Sequence, residues 1–187
     1  MSSSFGNELL RYLDQHGEKF DSLALELRGY AELGYLESRS STKLQQVLAA
    51  DGFEIQAGVA GIPTAFIASF GKGKPVIGIL AEFDALPGIS QAAVSSRQLL
   101  EGKESGHACG HHLFGAGSTA AAMAVRRWME NNNIKGTVRL YGTPAEEGGS
   151  GKVYLVRAGL FEDVDTALHW HPSDRNSAKS RQQVGQI

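Results

Sequence analysis

The sequence has a single cysteine, Cys109, in 187 residues, so no disulfide can close within it and a reducing compartment is the expectation. It has no surplus of either charge: 18 Lys and Arg stand against 20 Asp and Glu, a net charge of −2. That balance argues against nucleic acid or an anionic membrane as the main partner. No apolar run approaches the roughly 18 residues of a membrane span. The start, Met1-Ser-Ser-Ser-Phe-Gly-Asn-Glu8, has neither the basic residues nor the apolar stretch of a signal peptide, so the expected location is cytoplasmic. Charged residues are too few (20%) and apolar ones too many (42%) for a disordered polyelectrolyte. A chain of this length buries about 70% of its unfolded surface, enough for one domain, or most of one, with a real core.

What is present reads as an alternation of helices and strands. Leu9, Leu10 and Leu13 share one helical face, and Phe20, Leu23, Leu27 and Tyr30 share another. A third helix is expected over 42–50, capped by Ser40 or Ser41 and closed by Gly52. Strands are expected over 53–56, 64–70, 76–81, 137–141 and 164–168. Helices are expected over 113–129 and 151–158, and a polar loop over 88–105. The run Val76-Ile-Gly-Ile-Leu-Ala81 is apolar throughout, as in a strand covered on both faces. The alternation predicts an α/β fold with a mainly parallel sheet flanked by helices. The tail from Ser173 is polar and patternless.

Four short clusters hold the only cysteine and five of the six histidines: Glu82-Phe-Asp84, His107-Ala-Cys-Gly-His-His112, Glu146-Glu147 and His169-Trp-His171. Three follow an expected strand directly, and ligands in open parallel sheets sit beyond the carboxyl ends of the strands. His107, Cys109 and His111 are two residues apart, so an extended segment points all three the same way. Thiolate, imidazole and carboxylate together suit zinc or a similar divalent ion. Adjacent Glu146 and Glu147 point in different directions, so one can bind metal while the other faces substrate as a base. Each cluster alone also fits a structural role: a buried thiol beside surface histidines, a solvated helix start, or a turn before Pro87. The absence of Gly-x-Ser-x-Gly weakens a serine hydrolase reading, whereas Cys109 as a nucleophile stays open.

Taken in order, Ala81-Glu-Phe-Asp-Ala-Leu-Pro87, Gly106-His-Ala-Cys-Gly-His111, Pro144-Ala-Glu-Glu-Gly148 and Ala167-Leu-His-Trp-His-Pro172 resemble the dinuclear-metal aminoacylases and carboxypeptidase-like amidohydrolases. The similarity is to the branch with auxin-conjugate, hippurate and p-aminobenzoyl-glutamate hydrolases, and it runs from about Leu23 to Asn176. It implies a zinc-peptidase-like catalytic domain and cleavage of the amide bond of N-acyl or N-aroyl amino acids or short peptides. It also implies two divalent ions, zinc or manganese. By the same resemblance Cys109, His111, Glu147 and His169 are metal ligands, Glu146 is the general base, and Asp84 orients or tunes the site. His107 and His171 are placed outside the ligand set, and Glu82 is a spectator. His112 stands where many members carry Asp. The resemblance also leads us to expect an amino-terminal part of the catalytic domain over 1–172, with 173–187 at the point where a lid or dimerisation domain begins. A homo-oligomer, weak activity of the 187-residue chain alone, and the alternative of a non-catalytic fragment belong to the same expectation.

Overall fold

The computed structural model describes residues 3–175, so the polar tail beyond Arg175 lies outside the described residues. Helix α1 (Ser3–Tyr30) is followed by α2 (Ser38–Ala50), β1 (Glu54–Ala57), β2 (Phe66–Lys72), β3 (Val76–Ala81), a two-residue β4 (Leu86–Pro87) and β5 (Ser105–Gly106). Then come α3 (His111–Asn131), β6 (Gly136–Gly142), the irregular turn α4 (Glu146–Gly149), α5 (Gly151–Arg157) and β7 (Thr166–Leu168). The two apolar patterns at the start form one helix, because no proline interrupts them and Leu13, Phe20, Leu23 and Leu27 continue a single stripe. Leu10 falls off that stripe and is exposed.

The start of α2 differs from the sequence expectation. Ser40 and Ser41 lie inside the helix, and the free amides of Arg39 and Ser40 donate to the Glu32 carboxylate at 3.0 and 2.8 Å. A carboxylate from the preceding loop thus caps the positive helix end.

Five strands form one sheet in the order β1-β2-β6-β3-β7. The sheet is mixed: β6-β3 and β3-β7 are parallel, whereas β1-β2 and β2-β6 are antiparallel. Residues 71–75 reverse the chain between β2 and β3, and β6 pairs between those two strands, so the antiparallel half lies on the far side of β6 from the motifs. Helices α1, α2 and α3 cover one face around Leu27, Leu44, Phe66, Phe83, Met123 and Leu140. A smaller cluster, Ile62, Ile67, Tyr141 and Leu155, covers the other, with Tyr141 stacked on Phe161 at 4.4 Å. Among the described residues no helix is long and apolar enough to cross a membrane.

The parallel half positions the chemistry. Strands β3, β6 and β7 end at Ala81, Gly142 and Leu168, immediately before Glu82, before the segment leading to Glu146, and before His169. The three exits lie at one edge of the sheet because the three strands run the same way.

Candidate metal centre

Beyond β3 the chain still alternates. Phe83 turns into the core and packs on Phe66, while Glu82 and Asp84 turn to the other side, both 1% exposed. His111, fully buried, opens α3 after Gly110, whose left-handed φ of 87° bends the chain there. Its Nδ1 is 2.9 Å from Asp84 Oδ1. The other Asp84 oxygen accepts the backbone N–H of Glu147 at 2.9 Å. Asp84 therefore ties the start of α3 to the turn that carries both glutamates.

That turn is held from behind by a residue the sequence did not single out. Ala145 has a left-handed φ of 55°, which costs a non-glycine residue on the order of 1 kcal/mol. Its N–H donates at 2.8 Å to Glu37, a fully buried carboxylate whose other oxygen accepts from Thr64. Burial pushes the Glu37 carboxyl up, against those hydrogen bonds.

The opposite face of His111 looks into the crevice. Its Nε2 lies 3.0 Å from Glu82 Oε2 in a buried ion pair. Burial alone would lower the His111 pKa, but Asp84 and Glu82 outweigh it and push it up to about 10. Burial alone would raise Glu82, but His111 and Lys152 outweigh it and hold its carboxyl down at about 2. Glu82 Oε1 also meets the Lys152 ammonium and, at 3.2 Å, His169 Nε2.

Two sets of donor atoms converge, each within 4.8 Å of one another: Cys109, His111 and His171, and Glu82, His111 and Glu146. Cys109 Sγ is 3.5 Å from His171 Nε2. Burial, a hydrogen bond to Glu147 and the charges of Glu146 and Glu82 push the thiol up to about 11. The segment carrying His169 and His171 is anchored by Trp170, whose Nε1 donates to Ser118 at 3.1 Å. It packs on Phe114, which makes edge contacts with all three rings.

The structure thus gathers Cys109, His111 and Glu146 into donor sets. It bonds Asp84 to His111 and to the Glu147 amide, and His169 to Glu82. Neither His169 nor Glu147 belongs to a three-donor set as placed. His107 does not share the direction of Cys109 and His111, because the chain bends at Ala108–Gly110 rather than staying extended. It pairs instead with His112, ring centroids 4.9 Å apart, and burial pushes both histidines down to about 4. Glu82 and His171 are closer to the centre than the sequence reading placed them. The signal was the two-residue spacing: Glu82 shares its side with Asp84, as His171 does with His169. The donor chemistry of the two sets, imidazole, carboxylate and thiol converging on His111, fits a divalent cation.

A buried floor of Glu82, Asp84 and His111 under a rim of Glu146, His169 and His171 defines an α/β protein with a metal-ligating crevice at the carboxyl ends of its parallel strands. The chain belongs to peptidase family M20/M25/M40, whose model matches residues 78–185. It is 45% identical over 170 residues to one component of the p-aminobenzoyl-glutamate hydrolase of Escherichia coli, covering 88% of this chain and 35% of that one. It is 32% identical over 183 residues to the Xaa-Arg dipeptidase of Mus musculus, covering 89% and 38%. A solved dinuclear metal-binding peptidase of family M20 from Bacillus subtilis superposes with a TM-score of 0.71 at 28% identity, over 82% of this chain and 42% of that one. The chain therefore spans little more than a third of the length of the two relatives.

Proposed function

We propose that this chain carries the metal-binding part of a hydrolase that cleaves the amide bond of N-acyl or N-aroyl amino acids, p-aminobenzoyl-glutamate among them, or of short peptides. The observation that carries the reading is His111: Asp84 fixes its Nδ1 side, and its buried Nε2 faces Glu82 at 3.0 Å within reach of Glu146. Cys109, His111, Glu147 and His169 would hold two divalent ions, zinc or manganese, which would lower the pKa of a water and polarise the substrate carbonyl. Glu146, exposed at the rim, takes the proton of the attacking water on its carboxylate and passes it to the leaving nitrogen. Asp84 keeps His111 in one orientation throughout. The relatives' names support the substrate class: a p-aminobenzoyl-glutamate hydrolase and a dipeptidase. The only cysteine lies in the crevice, which supports a reducing, cytoplasmic setting. The open edge of the sheet at β7, whose three residues are all exposed, supports a homo-oligomer.

The test is metal analysis of the purified chain before and after a chelator wash, with Cys109→Ala and Glu146→Gln beside it. Cys109→Ala is expected to lose metal. Glu146→Gln is expected to keep metal while turnover of N-acyl amino acids in the active protein falls about 10²–10⁴-fold. Full activity in Glu146→Gln removes the base assignment, and a chain that takes up no metal removes the reading.

A further inference from the structure

Lys152 has no place in the reaction just described, yet its ammonium lies against Glu82, a buried carboxylate of the crevice. The Glu82 side chain is 2% exposed, and Lys152 reaches it across 70 residues of sequence. Lys152 is the second residue of α5, where a cation meets the positive end of a helix rather than the negative one. Its position is thus explained by the carboxylate and not by the helix. Glu82 in turn belongs to one of the two donor sets, with Oε2 facing His111 Nε2 at 3.0 Å and Oε1 occupied by Lys152 and His169. A buried carboxylate needs a positive charge beside it. In the metal-free chain Lys152 supplies one at the oxygen next to the open donor atoms.

We propose that Lys152 is a resident counter-cation of the centre: its ammonium and an incoming divalent ion compete for Glu82, so Lys152 lowers metal affinity while steadying the metal-free chain. This rests on the reading that the crevice takes a divalent metal, and to the ligands proposed above it adds Glu82 as a donor and Lys152 as the residue that regulates loading. Manganese, once bound, releases Lys152 from Glu82 toward solvent, to which its side chain is already 28% open.

The experiment is a calorimetric titration of the purified chain with manganese, for wild type, Lys152→Gln, Lys152→Arg, Glu82→Gln and the Glu82→Gln/Lys152→Gln double variant. Melting temperatures of the metal-free forms are measured alongside. Lys152→Gln is expected to bind manganese about tenfold more tightly, in the range by which neighbours of ligands shift affinity, and to melt lower without metal. Lys152→Arg, which keeps the charge, stays near wild type. On a Glu82→Gln background the gain disappears, because the two residues act as a pair. A mutation-free measurement runs in parallel: acetylation of Lys152 by an N-hydroxysuccinimide ester, read by mass spectrometry, rises several-fold when manganese is added. Equal or weaker binding by Lys152→Gln, or labelling that manganese leaves unchanged, overturns the proposal while the metal reading stands. A wild-type chain that takes no manganese overturns both.

Discussion

Asp84 divides its two oxygens between two elements, one on the ring of His111 and one on the amide of Glu147. Both partners donate, so both oxygens must accept. Asn would turn an N–H₂ toward one of them and break that bond. Asp84→Asn is therefore expected to weaken metal binding about 10–100-fold, read by titration, with the fold retained. Glu37 makes a prediction in pH. Burial raises its folded pKa above the ordinary 4.5, so the folded chain holds this proton at pH values where the unfolded chain has released it. Its contribution to stability is full below 4.5 and is lost as pH rises through the folded value. Glu37→Gln removes that slope, so the unfolding free energy of the variant should gain on wild type as pH rises from 4.5. A difference that does not vary with pH in denaturant melts counts against it. At this scale the sequence showed the residues whose chemistry is written in short spacings: Cys109, His111, Asp84, Glu146. It hid Glu37 and Lys152, which reach Ala145 and Glu82 across 108 and 70 residues and carry no local pattern.

Among the elements, α3 supports the site along its first two turns. Phe114 backs the His169–His171 segment, and Ser118 accepts from Trp170 while donating to Leu80 at 2.7 Å. Between them Gly117 leaves room for the indole: a Cβ there would stand 2.7 Å from Trp170 Cζ2. Gly117→Ala must shift Trp170 and the two histidines beside it. It should lower metal affinity although residue 117 touches no ligand, and the loss should be relieved when Trp170 is also cut to Leu. Metal affinity of Gly117→Ala equal to wild type would show that the segment tolerates the shift. Most helices and strands were legible from periodicity. The start of α2 was not, because its cap comes from Glu32 outside the helix, and neither was the continuity of α1 through Gly17, where the flanking stripe overrides a weak local breaker.

For the whole molecule, any ion that binds only the folded chain stabilises it by mass action, about 2.7 kcal/mol when its concentration is 100 times the dissociation constant. Zinc or manganese should raise the melting temperature of wild type in calorimetric scans, and raise it less in Cys109→Ala. A melting temperature indifferent to metal would set aside the centre as a contributor to stability. The fold class was readable because β3 is apolar throughout and helical and strand periods alternate around it. The strand order was not, since no pattern in residues 66–81 announces that two neighbouring strands leave a place between them.

That order, β2-β6-β3, has a consequence for the sequence of events during synthesis. Strands β2 and β3 leave the ribosome one after the other, but neither can pair with its final inner neighbour until residue 142 has followed, more than sixty residues later. Until then both inner edges stand open, with the hairpin of β1 and β2 the only part of the sheet able to close. Arrival of β6 fills both inner edges in one step and carries Glu146 and Glu147 to the mouth of the crevice, and β7 then pairs on the outer edge of β3 and brings His169 and His171. The sheet and the crevice are thus completed in the same order, first by β6 with its two glutamates and then by β7 with its two histidines.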